Sequence, residues 1–432
     1  MQKRNDLHIK AGKNKKDSRR NEIMNTVRGF KDIIYPESFK ISEIERISRE
    51  VFEVFNYKEI RIPTVEYQEL FIKSTGETTD IVEKEMYKFE DASKRILALR
   101  PEGTPGVARA YINNNLNIKG ENTKYFYIGN MFRAERPQAG RFREFEQIGA
   151  EYIGTNSAFS DAEVIIMLDT ILKKIGIKSY QIEINSIGCF ECRKKYREVL
   201  IENLKKLELC DLCKQRIERN PLRVLDCKID KEKFSSIPSI HLCGNCQDHH
   251  KTLKELLTKS NVDYKENKLL VRGLDYYTRT VFEFKTAELG SQDAIAAGGR
   301  YDDLIKSMGG PNSPSVGWAM GAERILMLCE KENISFKNKP LCFVITADQK
   351  YSEYAFELLS SLRNSGIKSD FSSFHQSLKS QMRSANSNGA RYALIIGEEE
   401  FISNTVTIKD LSTGEQSKKE KDNLIKELLK II

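Results

Sequence analysis

The stretch from Tyr125 to Gly154, YFYIGNMFRAERPQAGRFREFEQIGAEYIG, constrains the fold of this chain more than any other. It reads as two strands joined by a loop that carries Arg133, Glu135, Arg136, Arg141 and Arg143. Side chains alternate faces along a strand, so Phe145, Gln147, Gly149 and Glu151 point one way while Glu146, Ile148, Ala150 and Tyr152 point the other. One face therefore combines an aromatic ring, an amide, a bare backbone and a carboxylate. Burying polar groups without partners costs free energy. Two readings remain: a solvated sheet face, or a pocket whose polar ligand supplies the partners and approaches closely over Gly149.

At 432 residues the chain exceeds one ordinary domain, and two or three are expected. With 40% apolar and 31% charged residues it reads as soluble and globular, and no apolar run approaches a membrane span. Nine cysteines, an odd number, without a signal-peptide pattern point to a reducing, cytoplasmic setting and free thiols. The formal charge is +8, but residues 1–24 hold eight Lys and Arg against three Asp and Glu, so little of the excess belongs to the remainder. That segment is expected to be a disordered, solvated tail, and nucleic-acid binding has to be argued from local features.

From Thr26, TVRGFKDIIYP leads into a helix expected from about Phe39 to Phe55, with Ile41, Ile44, Ile47, Val51 and Val54 at helical spacing. NYKEIRIPTVE reads as a strand whose Pro63 suits an edge. RILALRPEGTPGVARAY is a strand, a turn and a helix, in which Arg100, Glu102 and Thr104 share one parity. Ser160 and Glu163 have capping-box spacing for a helix that runs to Gly176, and YQIEINSIG is the next strand. Residues 189–257 are expected to form a Cys-rich, mostly helical insertion between strands of the main sheet. KLLVRGLDYYTRTVFEF, AIAAGGRYDDL and PSVGWAMGAERILMLC read as strand–turn–strand, Gly-rich turn, and strand into helix. After a charged linker over 331–339, strands and helices alternate from 340 to 432, a separate small α/β domain with a largely parallel sheet. The fold class is α+β, with an antiparallel sheet flanked by helices over 25–335.

The two commonest phosphate cradles, a GxxxxGK[ST] loop and a Gly-rich dinucleotide fingerprint, are absent from the sequence. The sheet instead gathers Arg133, Arg141, Arg272 and Arg324. Arginine keeps its charge and offers a planar fork of donors, which suits a polyphosphate whose charge redistributes during displacement. Any one of them alone could equally be a surface or structural residue.

FRAERPQAGRFREFEQIGAEYIG resembles motif 2 of class II aminoacyl-tRNA synthetases in its histidyl form, and GWAMGAERILM resembles their motif 3. LVRGLDYYTRTVFEF is similar to the signature of histidyl-tRNA synthetases, RPEGT to their amino-acid loop, and TVRGFKDIIYP with KEIRIPTVE to motif 1. LCDLCKQRIERNPLRVLDCK resembles the family's insertion, and the final domain resembles its anticodon-binding domain. The resemblance spans residues 26–432 and implies a class II synthetase-like fold that activates histidine with ATP and transfers it to tRNA(His). Motif 1 implies a homodimer.

The resemblance also implies residue roles. Arg133 would hold the ATP α-phosphate, with Glu135 near the adenine edge or a magnesium ion, and Arg141 would help bind ATP. Phe145 would stack under the adenine while Arg324 covers its other face and reaches the γ-phosphate. Arg272 would stabilise charge at the α-phosphate as the histidine carboxylate attacks. Glu102, Thr104 and Gln147 would accept from the α-ammonium. Neutral imidazole has one donor and one acceptor nitrogen, matched by Glu151 as acceptor and Tyr277 as donor, with Tyr276 alongside. Arg136, Gln138 and Arg143 are candidates to touch the tRNA acceptor end, or are solvated charges. The chain departs from the family's usual text at Glu146, where histidine is common but on the face away from the pocket, and at Asp303 and Pro105.

The pairs Cys189-x2-Cys192, Cys210-x2-Cys213 and Cys243-x2-Cys246 have ligand-like spacing. A four-cysteine zinc site from the second and third pairs is weighed against free thiols in a helical insert, and free thiols with no resident metal are favoured. Two other functions stand beside the enzyme. One is a non-catalytic paralogue that binds histidine as a regulatory subunit of ATP phosphoribosyltransferase; the full arginine set and the final domain argue against it. The other, a plain RNA-binding protein, needs no histidine-shaped pocket.

Overall fold

The computed structural model describes residues 25–431 apart from 77–78, 120–122, 139, 291–292 and 337. The expected N-terminal tail therefore lies outside the described residues. The chain divides after Ser335 into two compact units.

The first unit is built on an eight-stranded sheet. Six neighbouring strands are antiparallel, in the order Thr123–Phe132, Glu144–Ile153, Ser315–Gly321, Ala294–Tyr301, Thr278–Lys285 and Gln181–Ser186. The two edges are short parallel strands, Lys58–Glu59 and Tyr264–Glu266. The Pro63 segment accordingly sits at the margin, where a missing N–H interrupts no ladder.

The sheet has one crowded face and one open face, and side-chain size along the central strands makes the difference. On the crowded face Phe52, from the helix Glu37–Val54, stacks on Phe126 at 4.3 Å between ring centres and lies 5.9 Å from Trp318. Ile148, Ala150 and Met320 fill the same layer, covered also by the helices Ala158–Ile175 and Ala322–Lys331. Fully burying a side chain such as Phe52 contributes about 1.5–3 kcal/mol. On the open face, Gln147, Gly149 and Glu151 pair across the ladder with Gly321, Ala319 and Gly317. Ala319 and Gly317 pair in turn with Ala297 and Gly299. This floor of small residues leaves room for a cleft.

Several local expectations are corrected. AIAAGGRYDDL is mostly a strand, Ala294–Tyr301, and its glycines serve packing rather than a turn. A Cβ on Gly298 would stand 2.2 Å from the Gly317 carbonyl oxygen, and one on Gly299 2.6 Å from that of Thr280. The N-cap of the helix Ala158–Ile175 is Ser157, whose hydroxyl accepts from the Phe159 N–H; the box at Ser160 and Glu163 does not form. Ser160 is instead buried under Arg300, which is fully enclosed. Arg300 also donates to the carbonyls of Thr155 and Ser157 and to Asp161. Asp161 in turn meets His249 of the insertion at 2.7 Å. Burial alone would raise the Asp161 carboxyl, but Arg300 and His249 outweigh it and hold it at about 2.

The insertion leaves the main sheet after Ser186 and contains the helices Phe190–Leu204, Asp211–Arg219 and Gly244–Lys259 with two short 3-10 turns. Its apolar residues Leu200, Leu204, Val224 and Phe234 share one core cluster with Tyr127, Met131 and Val281 of the sheet.

The second unit holds a five-stranded sheet that is mixed rather than largely parallel. Ser369–Phe371, Cys342–Thr346 and Tyr392–Ile396 are parallel, and Thr405–Asp410 and Gln416–Glu420 add an antiparallel hairpin. The last strand, QSKKE, has no apolar alternation because it is a mostly exposed edge, so periodicity does not reveal it.

Candidate active site

The open face of the first unit carries a solvent-open cleft. Among its lining residues are Glu102, Thr104, Arg133, Glu135, Arg141, Phe145, Gln147, Arg272, Tyr276, Tyr277 and Arg324. Residues distant in sequence thus converge on one cleft. Glu151 lies one layer deeper and does not line it.

At one end the site is rich in hydroxyls and carboxyls. The Thr104 hydroxyl donates to Glu151 Oε1 at 2.6 Å, and the Tyr301 hydroxyl donates to Oε2 at 2.5 Å. The Tyr276 hydroxyl donates to Glu102 Oε2 at 3.1 Å. Burial pushes Glu102 up to about 7, against the pull of Arg133, the Tyr276 hydrogen bond and Arg272. Burial likewise pushes Glu151 up to about 8, against the hydrogen bonds from Thr104 and Tyr301, and it drives the Tyr277 hydroxyl up to about 12. Two buried acceptors, Glu102 Oε1 and Gln147 Oε1, have no hydrogen-bond partner among the described residues. Leaving such atoms unpaired costs about 1–3 kcal/mol each, and a cationic donor in the cleft would relieve both.

The other end is cationic. Arg324 donates to the carbonyls of Gly140 and Ala294 at 3.2 and 2.6 Å. Burial, followed by repulsion from Arg141 and Arg133, holds its pKa below the usual arginine value. Arg133 donates to the Pro101 carbonyl at 2.9 Å, and its guanidinium lies over the Phe145 ring at 5.3 Å. Glu135 faces Arg141 at 2.5 Å and Arg133 at 3.8 Å. Arg133, Arg141 and Arg324 thus gather at one end of the cleft, close enough for their charges to act on one another, the group type that suits a polyanion. Arg272, between the two ends, is paired with Glu283. Burial works against its charge, but the pairing outweighs it and raises its pKa. Its Nε has no hydrogen-bond partner among the described residues.

The structure redistributes some expected roles. The space over Gly149 is filled by Tyr127, whose ring a Cβ there would approach to 2.4 Å, so it is not a ligand approach. Arg100 donates to the carbonyls of Ile62 and Asn130 instead of reaching the cleft. Arg136 and Gln138 are exposed on the motif 2 loop. Arg143 donates to the carbonyls of Glu135 and Arg28, bracing that loop against the segment that leads into the first helix. Tyr301 was not anticipated as a site residue, because the Gly-Gly before it suggests a turn rather than a strand that aims alternate side chains into the cleft.

Comparison with known proteins follows the same lines. The family described as histidyl-tRNA synthetase matches residues 29–325, and the anticodon binding domain family matches residues 341–431. The chain is 51% identical to the histidine–tRNA ligase of Elusimicrobium minutum, over 94% of this chain and 98% of that protein. It is 45% identical to that of Halothermothrix orenii, over 94% and 99%. The crystal structure of apo S. aureus histidyl-tRNA synthetase superposes with a TM-score of 0.79 at 32% identity, covering 94% of this chain and 99% of that one. With its family matched over both units, its site on one sheet face and its relatives aligned end to end, the chain belongs to the histidyl-tRNA synthetase family.

Proposed function

We propose that this chain is a histidine–tRNA ligase, forming histidyl-adenylate from histidine and ATP and passing the histidyl group to tRNA(His). The observation that carries the reading is the polarity of the cleft: buried acceptors with no partner among the described residues at one end, Arg133, Arg141 and Arg324 gathered at the other, and Arg272 on the lining with them.

In this reading Glu102, Thr104 and Gln147 accept from the histidine α-ammonium. A hydroxyl can accept and donate at once, so Thr104 accepts a hydrogen bond from the ammonium while still donating to Glu151. Glu151 is assigned to the imidazole N–H through the Tyr301 hydroxyl, which lines the cleft and can accept from the ring while donating to Glu151 Oε2, and Tyr277 donates to the other ring nitrogen. Apolar amino acids are rejected because they would leave these groups unpaired. Phe145 and Arg324 enclose the adenine, which requires Arg133 to turn from the Phe145 face toward the α-phosphate. Mg2+ arrives with ATP as part of the substrate, and Glu135 is the carboxylate assigned to its side of the cleft.

The histidine carboxylate oxygen attacks the α-phosphorus while the bond to the bridging oxygen breaks and pyrophosphate leaves. Arg272 and Arg133 stabilise the charge that builds on the α-phosphoryl oxygens. The terminal ribose hydroxyl of the tRNA then attacks the histidyl carbonyl, and AMP departs. Arg136 and Gln138 are placed to meet the acceptor end, and the second unit is assigned to the anticodon, whose unpaired bases side chains can read. The protein is assigned to the cytoplasm as a homodimer; no helix among the described residues is long and apolar enough to cross a membrane. A match to the anticodon-binding family over 341–431 favours the ligase over the regulatory paralogue. Charging of a tRNA(His) transcript with labelled histidine by the purified protein tests the reading. Histidine binding without charging would support the regulatory alternative.

A further inference from the structure

Each of the three α-helices of the insertion begins with a Cys-x2-Cys pair. Cys189, Cys210 and Cys243 are the N-cap residues of Phe190–Leu204, Asp211–Arg219 and Gly244–Lys259, and the second cysteine of each pair lies in the first turn. A helix N-terminus favours the thiolate, the form that binds metal. The helices bring the pairs together in an arrangement that differs from the one expected from spacing. The first pair meets the third, so that Cys189, Cys192, Cys243 and Cys246 form one group. The second pair meets Cys227 and Asp230, residues that share the same x2 spacing. Within each group all four ligand atoms lie within 4.8 Å of one another.

The distances are far longer than a disulfide's roughly 2.05 Å and match sulfurs that share a metal. Cys189 and Cys192 sulfurs are 3.6 Å apart, and those of Cys210 and Cys227 are 3.8 Å apart. A zinc–sulfur bond of about 2.3 Å in a tetrahedron sets sulfurs roughly 3.8 Å apart. All nine cysteines are free thiols. Backbone and side-chain contacts hold both groups in place. The Cys243 N–H donates to the Cys192 sulfur at 3.2 Å. Gly188, at φ +67°, lets the chain close on this group, and a Cβ there would lie 2.5 Å from that of Cys192. In the second group Asp230 is nearly fully buried, accepts from the Cys210 N–H at 2.9 Å and is flanked by Lys233 at 2.9 Å.

We propose that the insertion holds two structural zinc ions, one on Cys189, Cys192, Cys243 and Cys246 and one on Cys210, Cys213, Cys227 and Asp230. Four protein ligands close each site, which fits a structural rather than a catalytic ion. The ions clamp the insertion beside the cleft. Arg193, just after the first pair, donates to the Tyr277 carbonyl at 3.0 Å. The grouping of the second pair with the third, expected from spacing, gives way to one of the first pair with the third.

The test is the metal content of the full-length protein, produced with zinc in the medium and purified without immobilised metal or chelator. Elemental analysis is expected to find two zinc ions per protomer, and Cys243→Ser with Cys246→Ser, or Cys227→Ser with Asp230→Asn, is expected to halve the count. Cobalt substitution should give thiolate charge-transfer absorption that each double variant reduces. Where a variant fails to fold, stepwise release of zinc from the wild type by a mercurial reads the same stoichiometry. One ion or none per protomer, a count unmoved by both double variants, or fewer than nine free thiols on denaturation without reductant would overturn the proposal.

Discussion

The Thr104 hydroxyl donates to Glu151 Oε1 at 2.6 Å, tying the first residue of the helix Thr104–Asn113 to the second strand of the central hairpin. This bond joins the ammonium end of the proposed histidine site to its imidazole end. Glu151→Ala is expected to weaken histidine about 10- to 100-fold, about 1–3 kcal/mol for leaving buried polar groups unpaired, and to leave ATP affinity within a few-fold. Calorimetric titration with each ligand checks this. Equal loss of both would remove the assigned role.

Burial raises the Glu102 carboxyl to about 7, and only its ionised form can serve fully as acceptor for an ammonium. A raised carboxyl is protonated below that value, so histidine affinity is expected to fall as pH drops through 7, with proton release on binding at pH 6–7. Titrations in buffers of different ionisation enthalpy measure the released protons. Glu102→Gln should abolish the portion of release that exceeds the titration of free histidine's own imidazole.

The arginines gathered around Arg324 predict the converse selectivity. Arg324→Ala is expected to raise the KM for ATP by about 10- to 100-fold, the loss of one charge-assisted contact worth about 1.5–3 kcal/mol, with little change in the Kd for histidine. Steady-state exchange kinetics at varied ATP, with a separate histidine titration, distinguish this from global damage.

Gly317 tests the floor of the cleft. A Cβ there would stand 1.7 Å from Glu151 Oε2, so Gly317→Ala should displace the carboxylate and cost histidine affinity while ATP binding persists. Unaltered histidine affinity in a folded variant would contradict the packing described.

Glu146 faces away from the cleft. Burial, Glu45 and Glu323 raise its carboxyl to about 8. A folded-state value above the unfolded one means that stability declines as pH rises from the unfolded pKa toward 8 and then levels off. Glu146→Gln is expected to stabilise the protein by on the order of 2 kcal/mol at pH 8 and by much less at pH 5, measured as Tm against pH.

Much of this was legible in the chain itself, and for identifiable reasons. Strand parity placed Gln147 and Glu151 on one face, because a period of two survives any tertiary context. Parity could not say what covers Gly149; that is Tyr127, set across the hairpin by its register. Tyr301 stayed hidden because paired glycines usually punctuate, whereas Gly298 and Gly299 let neighbouring strands and Tyr277 pack closely. Arg300 and Asp161 carry no periodic signal at all; their link is a long-range ion pair inside the core. The cysteine grouping was misread because spacing along the chain is silent about which helix N-termini meet.

The central claim is that one cleft activates histidine at the expense of ATP, and histidine-dependent exchange of labelled pyrophosphate into ATP measures that step without tRNA. The wild-type protein is expected to exchange with histidine and not with apolar amino acids, and Arg272→Ala is expected to lose at least about 100-fold in rate, as for removal of a donor that stabilises transition-state charge. A folded wild-type protein that binds histidine and ATP but shows no histidine-dependent exchange would contradict the account.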